Sequence, residues 1–334
     1  MHRKKNPITH LTLQTMLPNA YLAAFPILLS LSTMVVAWGP MGHKTVSSVA
    51  MHYMKPAARD AVNEILIGDP EKKAGTPTML SVSTWADEFR NTNPGKYTAP
   101  YHYIDALDNP PSFCGVNFPT DCTAEGCVVS AIGNYTNRIQ DNSLEAVYTA
   151  QALKLLIHFV ADITQPLHDE NVARGGNDIT VLWSGKNVSL HRIWDTDMVT
   201  ALAGTDSAAH ITAWTNIIVA AVNPGGEYAR FVEEWISCIT PSTVASVAAT
   251  ETCATEWAAD GNSYICSYVL NPDPSHKEAN GTYFEGAAPI IQEQIAKGGV
   301  RLAALLNMIF TGTTGFGSSE TSSTLRLNIQ TPLA

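Results

Sequence analysis

Leu153-Lys-Leu-Leu-Ile-His-Phe-Val-Ala-Asp-Ile-Thr-Gln-Pro-Leu-His168 is the run on which the reading of this chain turns. Leu153, Leu156 and Val160 continue a helical spacing that starts at Ala146 and Ala150, so one long helix is expected to about Thr164. Asn142 stands as its cap, and Glu145 three residues on completes the pattern of a capping box. Gln165-Pro166 ends it. Into this apolar helix are set His158 and Asp162, four residues apart, so both side chains leave from one face. A carboxylate buried beside neighbours such as Ile157 and Phe159 is costly unless it is paired or bound to a metal. His168 follows directly after the proline has turned the chain.

Further along, His191 and Asp195 repeat the spacing of four. One such pair alone reads as an ion pair on a helix surface. Two pairs and His168 within 38 residues read as ligands, and imidazole with carboxylate and no thiolate suits zinc. Of the ten histidines, His43, His102, His158, His168 and His191 sit in such settings. Two shorter fragments join them. Trp85-Ala-Asp-Glu-Phe-Arg90 sets the carboxylate of Asp87 three residues from a guanidinium, and Tyr101-His-Tyr-Ile-Asp105 sets an imidazole between aromatics and near a carboxylate.

Outside these motifs the pattern is helical throughout, and the fold expected is all-α: one mainly helical domain with long loops and one small hairpin. Helices are expected at 43–53, 56–67, 190–202, 207–222, 226–238, 254–268 and 287–310. Residues 68–119 read as a long irregular stretch, Arg174–Asn177 as a turn, and Ile179–Trp183 as half of the hairpin. The domain is expected over 38–310, followed by a Ser/Thr/Gly-rich tail over 311–334. Of the 334 residues 45% are hydrophobic and 15% charged, which supports a sizeable core and argues against disorder of the bulk.

The first 37 residues carry Arg3, Lys4 and Lys5 and no acid, then an apolar run from Ala20 to Ala37. That is the form of a secretory signal with cleavage before Trp38 and not of a membrane anchor, and Met16 is an alternative start. Net charge is −10 for the whole chain. Cleavage removes three positive charges and no negative ones, leaving 17 basic and 30 acidic side chains and a net of −13. A protein that coats nucleic acid by diffuse positive charge is thereby excluded. Six cysteines, Cys114, Cys122, Cys127, Cys238, Cys253 and Cys266, fit disulfides in a secreted chain, with fifteen pairings open. Sequons at Asn134, Asn187 and Asn280 call for surface positions.

In order and spacing these fragments resemble the secreted, zinc-dependent, single-strand-specific nucleases of fungi and plants, the nuclease S-one/P-one family. The resemblance runs from Trp38-Gly-Pro-Met-Gly-His43 through Ser83–Asp87 with Arg90, Tyr101–Asp105, His158–His168, Gly175-Gly-Asn177 and Leu190–Asp195 to Gly299–Asn307. It implies a trinuclear-zinc fold shared with phospholipase C. Asp87, His102, His158 and Asp162 would hold one zinc, and His168, His191 and Asp195 a second. The third would take His43, a bridging Asp162, and the α-amine and carbonyl of Trp38. Three Zn²⁺ would bring six positive charges to one cleft, so an acidic protein could hold a phosphodiester.

The resemblance also assigns roles. Asp87 orients the attacking water, and Arg90 hydrogen-bonds the charge growing on the phosphoryl oxygens. Tyr103 stacks on a base, Asp105 reads its edge, and Asn177 helps to position the site. The reaction implied is endonucleolytic hydrolysis of single-stranded RNA and DNA to 5′-phosphorylated products, with 3′-nucleotidase activity, by a secreted monomer. Implied too are bridges Cys122–Cys127, Cys114–Cys266 and Cys238–Cys253, although Ala-Asp-Gly-Asn-Ser after Trp257-Ala258 departs from the family pattern. Two alternatives are carried: a trinuclear-zinc phospholipase C, whose last ligand is a glutamate where this chain has Asp195, and a secreted zinc-binding protein without catalysis.

Overall fold

Proline opens the first two helices, α1 (Pro40–Tyr53) and α2 (Pro56–Gly68), where its fixed φ suits the first turn and its missing N–H costs nothing. The computed structural model describes His2 and residues 38–317. The expected leader, His2 apart, and residues 318–334 of the expected tail lie outside the described residues. The stretch after α2 holds more helix than its Pro, Asn and Gly content suggests. It contains α3 (Met79–Val82), α4 (Trp85–Phe89) and a 3₁₀ turn over Lys96–His102. Then come α5 (Val128–Arg138) and α6 (Ala146–Asp162), a 3₁₀ turn over Pro166–Asp169, and the single turn α7 (Ala173–Gly176).

The hairpin follows as expected, with β1 (Thr180–Trp183) antiparallel to β2 (Lys186–Ser189) and Val181 opposite Val188. After it, α8 (Leu190–Arg192), a π-helical turn over Ile193–Asp197 and α9 (Met198–Ala203) run on without a break. The remaining helices are α10 (Ala208–Val222), α11 (Val232–Trp235), α12 (Pro241–Val244), α13 (Val247–Tyr264) and α14 (Thr282–Thr311).

Three expectations need correction. The capping box at Asn142 and Glu145 does not form: α6 starts three residues later, with Glu145 itself at the cap position and no side-chain cap bond. Asp141 organises that corner instead, accepting from the backbone N–H and the hydroxyl of Ser143. The helix expected at 226–238 is only a 3₁₀ turn over Ala229–Phe231 followed by α11. The one expected at 254–268 begins seven residues earlier, because the Ser246 hydroxyl caps Ala249 N–H. Helix α5 was not expected at all.

The core gathers around α6 and α14. From Ala152 to Asp162 every side chain of α6 is buried, the signature of a helix enclosed on all sides. Its one cation there, Lys154, is held at 2.8 Å by Asp69 and lies 3.9 Å from the centre of the Trp85 ring. Helix α14 packs on α1, α2 and α6. Gly299 permits the first of these contacts, since a Cβ there would fall 2.4 Å from Val49 Cγ1. Just past the other end of α6, Gln294 of α14 donates to the Thr164 carbonyl at 2.9 Å. The structure pairs Cys114 with Cys266, Cys122 with Cys127 and Cys238 with Cys253, with Cα separations of 5.8, 5.3 and 5.4 Å. Asn134, Asn187 and Asn280 are all exposed.

Candidate metal centre and substrate cleft

The end of α6 supplies His158 and Asp162; around it, α1 supplies His43, α4 supplies Asp87 and the 3₁₀ turn of Lys96–His102 supplies His102. His102 Nδ1 lies 2.9 Å from Asp162 Oδ2 and 3.2 Å from His158 Nε2. His158 Nε2 is 3.3 Å from the same carboxylate oxygen and 3.7 Å from Asp87 Oδ2. His43 stacks on His158 at 4.0 Å and places Nε2 3.3 Å from the other oxygen of Asp162. A second group sits where the chain turns back: His168 from the Pro166–Asp169 turn, His191 from α8 and Asp195 from the π turn. Asp195 lies 3.1 Å from His191 Nε2 and 4.0 Å from His168 Nε2.

Three imidazoles have their tautomer set by the backbone. His158 Nδ1 donates to the Ser83 carbonyl at 2.7 Å, His168 Nδ1 to that of His102 at 2.6 Å, and His191 Nδ1 to that of Gly175 at 2.6 Å. With the proton on Nδ1, each Nε2 is a lone pair turned inward, which is how metal-bound histidines are prepared. Those lone pairs face carboxylate oxygens, an arrangement that repels itself unless a cation lies between. Among the described residues, both ring nitrogens of His43, Nε2 of His168 and His191, both Asp87 oxygens and one Asp162 oxygen are buried without a hydrogen-bond partner. The donor atoms fall into three groups: His43, His158 and Asp162; Asp87, His102 and His158; His168, His191 and Asp195. Their separations match those of ligands about 3.4 Å apart around a tetrahedral zinc with bonds near 2.1 Å.

Burial sets the protonation. It drives the imidazole of His43 down to about 4 and that of His158 down to about 3, the latter against the pull of Asp162. Burial likewise pushes the carboxyls of Asp87 and Asp162 up, opposed by His43 and Arg90 at the first and by His158 at the second. At His191 burial is outweighed by Asp195, and the imidazole is raised; elsewhere neutral imidazoles and carboxylates that resent their charge are what a divalent cation rewards.

Arg90, at the C-terminus of α4, holds Asp87 at 3.1 Å. Trp38 is fully buried; its indole N–H donates to the Thr164 hydroxyl at 3.0 Å, and the next N–H, of Gly39, donates to the Asp195 carbonyl at 2.7 Å. Trp38 therefore lies beside Thr164, two residues past Asp162, and one residue from the backbone bond to Asp195. A cleft of about 350 Å³ opens over His102, His168 and His191 and is lined by Arg90, Tyr103, Asp105 and Asn177. All four were expected at the site. Asn177 is turned partly away, donating its amide to the Arg174 carbonyl at 2.7 Å.

These observations decide the family, because the comparisons fall on the same residues. The model of the S1/P1 Nuclease family matches residues 38–311. The chain belongs to the S1/P1 nuclease family. Nuclease P1 of Penicillium citrinum is 38% identical over 275 residues, covering 81% of this chain and 97% of the relative. Nuclease S1 of Aspergillus oryzae is 37% identical over 286 residues, covering 84% and 94%. Endonuclease 2 of Arabidopsis thaliana is 31% identical over 285 residues, covering 82% and 90%. As a member of the S1/P1 nuclease family the protein is a hydrolase acting on nucleic acid, and the family match lends the phospholipase reading no support.

Residues that sequence reading passed over complete the site. Gln165, read only as the residue before a proline, is fully buried; its amide donates to Asp195 Oδ1 at 2.5 Å and its carbonyl oxygen accepts from Leu167 N–H at 2.6 Å. The carbonyls of Ser83 and Gly175 orient ligands through the main chain, which leaves no signal in side-chain identity. Glu170 and Arg174 also line the cleft.

Proposed function

We propose that this protein is a secreted zinc-dependent endonuclease that hydrolyses single-stranded RNA and DNA to 5′-phosphorylated products and removes phosphate from 3′-nucleotides. The observation that carries this reading is the set of buried, inward-facing imidazole and carboxylate donor atoms, most of which face only one another among the described residues. Asp87, His102, His158 and Asp162 would hold one zinc; His168, His191 and Asp195 a second; His43, Asp162 and the freed amine and carbonyl of Trp38 a third. Bound zinc supplies Lewis acidity, which polarises the phosphate and makes water a nucleophile near neutral pH.

The chain's own residues do the rest. Asp87, fixed by Arg90, offers a carboxylate oxygen to the proton of the attacking water and so aims its lone pair. Arg90 keeps further N–H groups for the phosphoryl oxygens as charge grows there. Tyr103, 38% exposed at the cleft, stacks on an unpaired base, and Asp105 beside it accepts from that base's edge. A paired base has no free face to offer, so single strands are preferred. Asn177 helps to shape the cleft floor. Cleavage before Trp38 would couple secretion to assembly, because the amine exists only afterwards. Among the described residues no helix is long and apolar enough to cross a membrane. Elemental analysis with N-terminal sequencing of the mature protein tests the proposal, alongside hydrolysis of single-stranded DNA and of phosphatidylcholine. Three zincs, Trp38 first and DNA turnover are expected; lipid turnover alone would overturn it.

A further inference from the structure

Two hydrogen bonds tie the start of segment 102–108 to the turn that carries His168. His168 Nδ1 donates to the His102 carbonyl at 2.6 Å, and Ile104 N–H donates to the His168 carbonyl at 2.8 Å. Tyr103 and Asp105 stand on this segment and line the cleft. At the far end the connection runs through a third element. Asn262 of α13 is fully buried, and its amide donates to the Asp169 carbonyl at 2.9 Å, to Asp108 Oδ2 at 3.1 Å and to Glu170 Oε2 at 3.3 Å. Its two N–H groups thus serve three oxygens, one from the segment and two from the residues that follow His168.

The surroundings of Asn262 are built for this contact. Gly261, its neighbour on α13, lets the helix come close to the turn, since a Cβ there would fall 2.4 Å from Asp169 Oδ2. Cys266, in the π-helical turn that continues α13, is bridged to Cys114, and the next residue, Gly115, donates its N–H to the same Asp108 oxygen at 3.1 Å. The amide is therefore presented from a support that is fastened covalently to the loop beyond Asp108. Asn262 itself does not line the cleft, but Glu170, which it holds, does. A buried amide must be matched somewhere, and here each of its acceptors lies on one of the two strips that build the cleft wall.

We propose that Asn262 is a positioning residue, whose amide keeps the segment bearing Tyr103 and Asp105 in register with the turn bearing His168. A base and the phosphate attached to it then meet their two sites at one fixed spacing. The inference rests on the proposed reading of Tyr103 and Asp105 as the base site. Without the amide the segment keeps its fastening at His102 and Ile104, while Asp108 loses its link to Asp169 and Glu170. A bound nucleotide carries base and phosphate as one unit, so a displaced segment must either release the base or misplace the phosphate.

The test compares kcat/KM for release of phosphate from thymidine 3′-phosphate with that for its analogue carrying hydrogen in place of the base. Both are measured for the wild type, Asn262→Leu, Asp108→Ala and the double variant. The wild type should favour the nucleotide by about 5- to 100-fold, the range spanned by stacking on one base. In Asn262→Leu that preference should fall by about 5-fold, equivalent to one net hydrogen bond, through a higher KM for the nucleotide. Asp108→Ala should lose as much, and the double variant no more than either single one, because both changes break the same link. Each preference is a ratio within one preparation, so any loss of folded enzyme cancels. A folded Asn262→Leu with the wild-type preference overturns the proposal whatever its melting temperature, and so do additive losses in the double variant. If Asn262→Leu does not fold, an unchanged preference in Asp108→Ala overturns it. A wild type indifferent to the base removes the base site and the proposal together, whereas the other outcomes leave base recognition intact.

Discussion

The two groups of donor residues are built in different ways. His43, Asp87, His158 and Asp162 stand on right-handed α-helices whose packing holds them, and only His102, at the end of a 3₁₀ turn, departs from that pattern. His168, His191 and Asp195 stand on exceptions: a 3₁₀ turn, a helical stub of three residues and a π turn. Their support is a run of left-handed backbone, with φ of 50° at Ala173, 56° at Arg174, 59° at Gly175 and 75° at Gly176. A π turn widens the helix by one residue and brings Asp195 onto the side of His191. The first group draws its precision mainly from the core, with one backbone bond, from His158 to Ser83. The second draws it from local backbone hydrogen bonds, so the two should fail differently.

The largest difference is expected from His158→Ala, because His158 contributes to two of the three donor groups. Zinc content should drop by more than one ion per chain and hydrolysis of single-stranded DNA should fall to background. Full hydrolysis by the variant would remove the metal assignment. Gly175→Ala attacks only the second group. Its Cβ would meet the Leu167 carbonyl oxygen at 2.5 Å in a backbone region that alanine avoids, and the acceptor of His191 Nδ1 would move. Loss of such an orienting bond lowers metal affinity by about 10- to 100-fold. A chelator titration should then show one zinc released early while the others leave as in the wild type; simultaneous release of all three would contradict the division between the groups.

Gln165→Leu should act more gently on the same group. The amide that restrains Asp195 Oδ1 is lost, but His191 still faces Asp195 Oδ2 at 3.1 Å. Affinity at that group should weaken by about 10-fold, at the lower end for an orienting partner. Gln165→Glu is the sharper control, since a carboxylate against Asp195 repels it and cannot donate when ionised. It should weaken zinc binding more than leucine does; the reverse order in calorimetric titrations would mean that Gln165 only fills space.

The contrast also explains what the sequence discloses. The spacing of four that marks His158 and Asp162 is visible because it coincides with a regular apolar helix, and the same holds for the C-terminus of α1 and the ends of α2 and α10. His191 and Asp195 share that spacing but span a π turn, so the pattern was legible while the geometry behind it was not. Helix α5 escaped because Gly133, Asn134 and Thr136 are weak helix formers, and its stability comes from packing on α6 and α13. The box at Asn142 failed for a local reason: Asp141 captured the turn first. Backbone acceptors such as those of Ser83, His102 and Gly175 could not be read from side chains at all, and they orient three of the five histidines.

Trp38 joins the two regions, and the smallest effect is expected where it is held. Thr164 accepts the indole N–H at 3.0 Å and donates to the Ala161 carbonyl at 2.7 Å, just past the end of α6. Thr164→Val keeps the shape and removes the hydroxyl, so a buried indole N–H is left without an acceptor, at a cost of about 1–3 kcal/mol. If Trp38 served only the core, melting temperature would fall and zinc stoichiometry would stay at three. If its amine and carbonyl ligate, slack in the indole should loosen the ion shared with His43 and Asp162, a few-fold in affinity, while the ions on the His102 and His191 sides hold. Exposure to a graded chelator series, read by elemental analysis at a temperature well below melting, separates the two cases. Retention of all three ions with wild-type affinity would leave Trp38 a packing residue alone.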